Sequence, residues 1–395
     1  MGLDVHNIWQ PTPEYVEGAQ VTALAHRLGV EDFDELYDFS LSNPERYWRE
    51  VLDFCQVKLD REYEILCDLK RGAPFPLWFV GAEMNWTDMV LDREEDRDRT
   101  AIIAESEVGT SRSVTYAELA EEVRAFATGL EVRGIRRGDR VGLLMENGIE
   151  ASVSFLAIAY IGAIVVPLFS GFGSDAIVSR LAPCGARALI TTSGFYRRGR
   201  FIETTGTLAA VRHNLPGLEC VIVKGSRAAA VPDDTIDWYD VPCKPEVGRR
   251  SARMSPNDPF MVIFTSGTTG RPKGVVHVHG GFPIKIAHDA AVHFNVGSGD
   301  VFCWPADMGW IAGALVLGAA LLRGATLVCY DGAPDYPDWS RMGQLVERYK
   351  VTHFGSAPTL IRGLAAHHKV ATGPDLGSIK LLITAGEAIA PEHFA

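Results

Sequence analysis

An eleven-residue stretch at positions 264–274, with the sequence FTSGTTGRPKG, combines the residue types that hold phosphate groups. Its glycines let backbone N–H groups approach oxygen atoms closely, and the ammonium group of Lys273 can neutralise their charge. Apolar residues 260–264 precede the loop and β-branched residues follow it, so we expect a strand on either side. Besides Lys273, the predicted phosphate ligands are Thr265, Ser266, Gly267, Thr268, Thr269 and Gly270.

This loop differs from the Walker phosphate loop, which needs Lys directly after a glycine and Ser or Thr directly after the Lys. Here two residues separate Gly270 from Lys273, and Gly274 follows the lysine. A plain Gly/Ser/Thr turn between two strands is the alternative interpretation. The full order of the eleven residues is far more specific than such a turn. It resembles the signature loop of the adenylate-forming superfamily, which comprises acyl-CoA synthetases, luciferases and the adenylation domains of peptide synthetases.

The composition is that of a soluble globular protein, with 47% hydrophobic and 22% charged residues. The chain has 395 residues and exceeds one ordinary hydrophobic core, so we expect two or more subdomains. Its formal net charge of -12 disfavours nucleic acid or an acidic membrane as a partner. Small anionic substrates remain compatible with that charge, because basic residues cluster locally at positions 197–200 and 271–273.

The seven cysteines are scattered along the chain and form no C-x-x-C pair. This pattern is typical of a reduced, cytoplasmic protein without a zinc site or a disulfide framework. No charged region precedes an apolar core at the N-terminus, so we predict no signal peptide. His277 and His279 stand two residues apart without a third ligand at a fitting spacing, so we predict no metal site there.

Residues 151–174 carry no charge and are numerous enough to cross a bilayer. Gly162 and Pro167 interrupt the segment, and no basic cluster flanks it. Parallel sheets that are covered on both faces also produce such continuous apolar runs. We therefore predict a buried helix at 150–160 and a buried strand at 163–168 rather than an integral membrane segment.

Strand and helix patterns alternate through much of the chain. A strand is predicted at 101–104 and a helix at 116–133, which begins after Thr115 with Glu118 three residues later, as in a capping box. A strand at 140–144 follows the helix. Repeats of this kind indicate an α/β fold with parallel sheets. Further strands are predicted at 186–191, 220–224 and 325–330, and residues 381–388 are predicted to form a strand that ends in a Gly-Glu turn.

Residues 1–90 are rich in aromatic and acidic residues, and stretches 32–39 and 44–52 space large apolar residues as helices do. We expect this segment to pack into the core rather than to serve as a partner-binding arm. It resembles the leading region of acetyl-CoA synthetases, so the chain is identified as a member of the acetyl-CoA synthetase-like branch of AMP-forming acyl-CoA synthetases. That resemblance implies an N-terminal extension over 1–90. Over 91–395 it implies the parallel-sheet α/β subdomains of the adenylate-forming large N-terminal domain, incomplete at the C-terminus.

Several segments of that family have no counterpart up to Ala395. They are the glutamate that binds magnesium, the motif that binds ribose, the hinge before the small C-terminal domain, and that domain itself with its catalytic lysine. We therefore expect this chain by itself to be inactive, and we assign no catalytic residue within it. In the reaction of this family the carboxylate of the acid substrate attacks ATP. That carboxylate is already ionised, so no general base is required.

The resemblance also implies which residues contact ATP and the acid. The loop would hold the β- and γ-phosphates of Mg²⁺-bound ATP, and the predicted adenine pocket is formed by Gly386, Glu387 and Ala388. The predicted acyl pocket is formed by Trp310, Ile311, Ala312 and Ala385.

Coenzyme A is the third substrate that the resemblance implies. Residues 193–200 are predicted to form a basic loop, in which Arg197 and Arg200 occupy the places that meet the 3′-phosphate of CoA. Gly171 matches the glycine over which the CoA nucleotide passes. The expected partners are therefore small molecules, without nucleic acid.

The expected reaction is ATP-dependent activation of a short- to medium-chain carboxylic acid to an acyl-adenylate and then to acyl-CoA, with release of AMP and pyrophosphate. Acetate-specific relatives have Thr and Val where Ala312 and Ala385 stand, so we expect a larger pocket and an acid longer than acetate. Two alternatives remain: a catalytically incomplete nucleotide-binding fragment, and an adenylation domain that acts on another carboxylate. A kinase-like phosphotransferase is disfavoured, because neither a Walker nor a protein-kinase signature is present.

Overall fold

Two mostly parallel β-sheets, with helices packed against them, form the framework of the chain in the computed structural model. The structure describes residues 10–226, 229, 231–245, 248–265 and 271–388. Residues 266–270 of the predicted phosphate loop lie outside this described part. The predicted α/β class with parallel sheets is confirmed.

The helices and strands are numbered separately in chain order. The helices are α1 (Pro13–Glu17), α2 (Gln20–Leu28), α3 (Phe33–Ser42), α4 (Pro44–Phe54), α5 (Asp88–Leu91), α6 (Tyr116–Val132), α7 (Ile149–Tyr160), α8 (Ser174–Cys184), α9 (Thr205–Asn214), α10 (Phe282–Val292), α11 (Ile311–Leu321), α12 (Arg341–Tyr349), α13 (Pro358–Ala366) and α14 (His368–Ala371). The strands are β1 (Ile65–Asp68), β2 (Leu77–Val80), β3 (Thr100–Ser106), β4 (Ser111–Thr115), β5 (Arg140–Leu144), β6 (Ile164–Pro167), β7 (Ala188–Thr192), β8 (Gly194–Arg197), β9 (Arg200–Glu203), β10 (Cys220–Lys224), β11 (Ile236–Asp237), β12 (Pro259–Thr265), β13 (Lys273–Val278), β14 (Val301–Cys303), β15 (Thr326–Asp331), β16 (His353–Ser356) and β17 (Leu381–Thr384).

The first large sheet has seven strands in the order β11-β10-β7-β5-β6-β12-β13. All neighbouring strands are parallel except β13, which returns antiparallel to β12. The second has six strands in the order β17-β16-β14-β15-β3-β4, and only β4 runs antiparallel to its neighbour. In both sheets the antiparallel strand is at an edge and belongs to a hairpin, so the interior strands all point their carboxyl ends the same way.

Helix α7 lies between the two sheets, in contact with β5 and β6 of the first and with β3 of the second. Nearly every residue of the helix is buried, which explains why its sequence has no polar face. The predicted buried helix and strand are thus confirmed as α7 and β6. Among the described helices, none is both long and apolar enough to span a membrane.

Helix α6 confirms the capping box predicted from the sequence. The Thr115 hydroxyl accepts a hydrogen bond from the Glu118 backbone N–H at 3.2 Å, and the Glu118 carboxylate accepts one from the Thr115 N–H at 2.8 Å. The first backbone N–H groups of a helix have no acceptor within the helix, and two of them are therefore hydrogen-bonded here by neighbouring side chains.

The basic loop predicted at 193–200 is wrong in one respect, because the chain forms the β-hairpin β8–β9 there. Its two-residue turn consists of Arg198 at φ +49° and Gly199 at φ +72°. A tight turn with positive φ at both positions matches the right-handed twist of the flanking strands. Arg instead of Asn or Asp at the first turn position concealed the hairpin signal in the sequence.

The N-terminal helices pack into the same core as the rest of the chain. Helix α2 contacts α4 and α10, and Leu24 and Val51 are fully buried. The hydroxyl group of Tyr47 lies 2.7 Å from Nε2 of His288 on α10. Gln20 donates through Nε2 to the Val296 carbonyl at 2.8 Å. These contacts agree with the expectation of a core-packing segment.

His277 and His279 pack separately against aromatic rings near the β12–β13 hairpin. The His277 ring lies 4.9 Å from that of Phe282, and the His279 ring 5.7 Å from that of Phe260. His279 is fully buried, and neither of its ring nitrogens has a hydrogen-bond partner among the described residues. Burial therefore lowers the pKa of His279 to about 3.

The buried, neutral His279 should make the fold sensitive to acid. The unfolded chain binds a proton at this histidine below about pH 6.5 and the folded chain does not, so stability falls as the pH drops from there towards 3. We expect His279→Phe to become more stable than the wild type by about 1.4 kcal/mol per pH unit below pH 6.5. Urea unfolding at pH 7.5, 6 and 5 measures this difference.

The control is His368→Gln, because His368 is exposed to solvent. A constant stability difference between His279→Phe and the wild type across this pH range would contradict the prediction.

Candidate active site

A cleft with a volume of about 1140 Å³ opens where the carboxyl ends of strands from both sheets meet. The segments that follow β5, β6 and β7 line one side, and those that follow β14, β15, β16 and β17 line the other. In open parallel sheets, ligands bind outside the carboxyl ends of the strands. The fold therefore puts its principal binding cleft at this edge.

Most of the predicted acid, adenine and CoA residues line this one cleft, although they come from four separate segments. The lining includes Gly171, Arg197, Trp310, Ile311, Ala312, Ala385, Gly386 and Glu387. The predicted residues Arg200, Ala388, Thr265 and Lys273 are described in the structure but are not part of the cleft lining.

The predicted phosphate loop is held at its base by the β12–β13 hairpin. Thr265 and Lys273 are directly opposite each other in the ladder, and both side chains are exposed. The expected strand before and strand after the loop are thus present. Ser266, Gly267, Thr268, Thr269 and Gly270, which complete the prediction, lie outside the described residues.

The floor of the cleft is a close backbone contact between the two sheets. A Cβ atom on Gly309 would lie 2.0 Å from the backbone nitrogen of Phe169, so only glycine allows this approach. The Asp307 carboxylate accepts hydrogen bonds from the backbone N–H groups of Ser170 at 3.2 Å and of Gly309 at 2.8 Å. Asn147 donates through Nδ2 to the Ala306 carbonyl at 2.6 Å. Segment 305–309, which follows β14, is therefore fixed to the segments that follow β5 and β6.

This floor positions Trp310, the residue that immediately precedes α11. Its side chain is 52% exposed, and its ring centroid lies 5.7 Å from that of Phe169. Ile311 is also exposed to the cleft, and Ala312 is partly buried beneath it. An exposed tryptophan held by a rigid backbone offers apolar contact area for a ligand.

Two further tryptophans line the cleft and were missed in the sequence. Trp304 lies over Gly355, where a Cβ atom would be 2.2 Å from the indole, and Trp339 lies over Gly363 with a corresponding distance of 2.1 Å. Each ring thus needs a glycine far away in sequence. The only sequence signal was the position of Trp304 six residues before Trp310.

The turn after β17 carries the predicted adenine residues and is anchored to α13. The Glu387 carboxylate accepts hydrogen bonds from the Thr359 hydroxyl at 2.8 Å and from Nη2 of Arg362 at 2.9 Å. Both bonds lower the pKa of Glu387, and the bond from Arg362 has the larger effect. Ala385 donates its N–H to the Ser356 carbonyl at 3.3 Å, which continues the pairing of β16 with β17.

The β8–β9 hairpin brings two cations to the rim. Arg197 donates to Asp331 at 2.7 Å, and Arg198, which was not predicted, donates to Asp335 at 3.0 Å. Arg200 lies directly opposite Arg197 in the hairpin and is exposed. Burial, together with the negative charge of Glu146, raises the pKa of Asp331 to about 6, and Arg197 opposes that shift.

A possible set of metal ligands occurs away from the cleft, on α10 and just beyond it. Ligand atoms of His288, Asp289 and His293 lie within 4.8 Å of one another. The Asp289 carboxylate, however, already pairs with the Lys285 ammonium group and with Nδ1 of His288. A cation would have to displace the lysine, so we assign no metal to this cluster.

Comparisons with known proteins identify the family of this chain. The model of the AMP-binding enzyme family matches residues 92–395, and that of the acetyl-coenzyme A synthetase N-terminus matches residues 33–89. The chain belongs to the AMP-binding enzyme family, and the N-terminal match makes it acetyl-CoA synthetase-like.

Two similar proteins are named acetyl-coenzyme A synthetase. The one from Deinococcus radiodurans is 34% identical over 97% of this chain and 59% of its own length. The one from Chlorobaculum tepidum is 32% identical over 93% of this chain and 56% of its own length. The solved structure of an acetoacetyl-CoA synthetase from Streptomyces lividans superposes with a TM-score of 0.92 at 27% identity, over 98% of this chain and 61% of the other. The chain thus spans about three fifths of the length of the proteins that it matches.

The contact at Gly309 predicts a substitution that should open the cleft. In Gly309→Ala the new methyl group cannot coexist with the Phe169 backbone, so the two segments must separate and the ring of Trp310 must move. We expect a loss of roughly 1–3 kcal/mol in the free energy of unfolding and a changed near-ultraviolet circular dichroism spectrum. Gly217→Ala is the control, since no heavy atom lies within 4 Å of its added Cβ. If both variants have the stability and the spectrum of the wild type, Gly309 is not in close contact with the Phe169 backbone and the prediction is wrong.

Proposed function

We propose that this chain provides the ATP, acid and CoA contacts of an AMP-forming acid–CoA ligase. In its first step a short- to medium-chain carboxylate attacks the α-phosphate of Mg-ATP, which forms an acyl-adenylate and releases pyrophosphate. In its second step the CoA thiolate attacks the acyl carbonyl, which forms acyl-CoA and releases AMP. The observation that carries the proposal is the single cleft lined by Trp310, Ala385, Glu387 and Arg197.

The first step needs positioning and charge neutralisation rather than covalent help from the protein. The attacking carboxylate is ionised near neutral pH, so no general base is required. A triphosphate gains charge-assisted hydrogen bonds from a lysine and from hydroxyl groups that are held on a fixed hairpin. Lys273 and Thr265 stand opposite each other at the base of such a hairpin, and both are exposed and available to a ligand.

The test of this function is isotope exchange between pyrophosphate and ATP that depends on an added carboxylate. It is measured with this chain and with any longer product of its gene. Lys273→Ala should lower kcat/KM for ATP, since one charged hydrogen bond to phosphate is lost. The decrease should correspond to a loss of about 1.5–3 kcal/mol in transition-state stabilisation. Lys369→Ala removes an exposed lysine from α14 and should have no effect. Absence of exchange from every form, or an unchanged ATP dependence in Lys273→Ala, would refute the assignment.

The hairpin β8–β9 supports the assignment of CoA. Arg197 and Arg200 face each other across the ladder, and like charges in that position destabilise a strand pair. Asp331 neutralises Arg197, while Arg200 has no ion-pair partner among the described residues. Arg200 is not part of the cleft lining, so a phosphate that balances this second charge would have to lie beside Arg197 and just outside the lining. The 3′-phosphate of CoA is such a group, and Gly171 in the same cleft would leave room for the nucleotide.

The lining favours an acid longer than acetate. Ala312 and Ala385 present only methyl groups to the cleft, and Trp304 and Trp339 add apolar surface beyond Trp310. A small acid would make too few contacts with such a surface, and each missing methylene costs roughly 1–3 kcal/mol of discrimination. The acetoacetyl-CoA synthetase of similar fold is named for an acyl group longer than acetyl.

Substitution of Ala385 should change the preferred acid. In Ala385→Val the two added methyl groups fill space in the cleft that Trp310 also lines, so longer acids should lose roughly tenfold in kcat/KM relative to acetate. The measurement is carboxylate-dependent pyrophosphate exchange with acetate, propionate, butyrate and hexanoate, with the KM for ATP as an internal control. If the wild type ranks acetate first, or if Ala385→Val leaves the ranking unchanged, this view of the pocket is wrong.

A further inference from the structure

The carboxylate of Glu107 accepts three hydrogen bonds from backbone N–H groups beside the cleft. Oε1 accepts from Gly199 at 2.8 Å, and Oε2 accepts from Arg198 at 3.1 Å and from Ala333 at 3.0 Å. Glu107 lies in the turn between β3 and β4, and it is 8% exposed. Its own N–H donates to the Asp331 carbonyl at 2.7 Å. One side chain of the six-stranded sheet thus holds the tip of the β8–β9 hairpin, which follows β7 of the other sheet.

The geometry of the hairpin turn makes this contact effective. A two-residue turn points the N–H groups of both turn residues away from the ladder, and they usually bond to water. Here they bond to a buried carboxylate that has no ion-pair partner among the described side chains. A buried charge is costly unless hydrogen bonds satisfy it, so the hairpin cannot leave Glu107 without a large penalty.

The space around the turn restricts the hairpin further. A Cβ atom on Gly199 would lie 2.4 Å from the hydroxyl oxygen of Tyr336, so the backbone of the turn packs directly on the segment after β15. The ion pairs of Arg197 with Asp331 and of Arg198 with Asp335 reach the same segment. Ala333, the third donor to Glu107, belongs to it as well. Glu107 is therefore the common acceptor at the junction of the hairpin and the segment 331–336.

We propose that Glu107 is a positioning residue for the CoA nucleotide. By fixing the N–H groups of Arg198 and Gly199, it sets the place of Arg197, which lines the cleft, and of Arg200, which lies directly opposite Arg197 in the hairpin. The inference rests on the proposed role of these arginines at the 3′-phosphate. Among the described residues, Glu107 makes no hydrogen bond or ion pair with the adenine turn at Gly386 or with the strands on either side of the phosphate loop, so we expect its influence to be confined to CoA.

The test compares two nucleotides on the 395-residue chain by isothermal titration calorimetry. Adenosine 3′,5′-bisphosphate represents the phosphorylated nucleotide of CoA, and ATP represents the adenylation site. In Glu107→Gln the amide keeps one acceptor oxygen, but its NH₂ group cannot accept a hydrogen bond from an N–H donor. At least one of the three bonds is lost while the side-chain shape is kept. Glu121→Gln on α6, where Glu121 is exposed, is the control for the change in net charge.

We expect Glu107→Gln to bind the 3′,5′-bisphosphate about tenfold more weakly than the wild type and to bind ATP equally well. In a hydrogen-exchange measurement, the amide hydrogens of Arg198 and Gly199 should exchange faster in this variant. Unchanged binding of the bisphosphate would overturn the positioning role. Equal losses for both nucleotides would also overturn it, because they would indicate a general structural effect. Binding of ATP but not of the bisphosphate by the wild type would refute the CoA assignment and this inference with it, while the proposed adenylation function would stand.

Discussion

The approach of two backbone segments, from residues 168–169 and from Gly309, determines the shape of the whole cleft. Each sheet alone would present a row of strand ends and loops to solvent. Because Gly309 lacks a side chain, the loop after β14 meets the loop after β6 at backbone distance, and the strand ends of both sheets face one space. Helix α7, which is apolar on all sides, fills the region between the sheets. These two features bring together most of the predicted acid, adenine and CoA residues, although those residues are far apart in sequence.

Carboxylates that accept backbone N–H bonds reinforce this arrangement. Asp307 bonds to the backbone of Ser170, and Glu107 bonds to the backbone of the β8–β9 turn. Both contacts join loops that belong to different sheets. Hydrogen bonds to a charged acceptor are stronger than those between neutral groups, and in a partly buried site they are weakened little by water. The cleft is thus preorganised by the polypeptide backbone, and the side chain of Trp310 remains available to ligands.

Much of the framework could be predicted from the sequence because its signals are local. The capping box of α6 and the continuous apolar run of α7 and β6 depend on neighbouring residues, and the structure confirmed both. The β8–β9 hairpin was not predicted, because Arg198 adopts a positive φ and arginine at that turn position is not a recognisable hairpin signal. Asp331 as partner of Arg197 was missed for another reason: the two residues are 134 positions apart, and no periodicity links them. Contacts between loops of different sheets are set by the packed fold, so local patterns do not reveal them.

We propose that acid and nucleotide bind side by side in the cleft between the two sheets. The most direct measurement is a crystal structure of this chain with a monoalkyl ester of AMP, a stable analogue of an acyl-adenylate. We expect its adenine to contact the turn at Gly386 and Glu387 and its alkyl chain to lie between Trp310 and Ala385. Well-ordered analogue bound elsewhere, or bound in the cleft with the alkyl chain directed away from Trp310, would contradict the account.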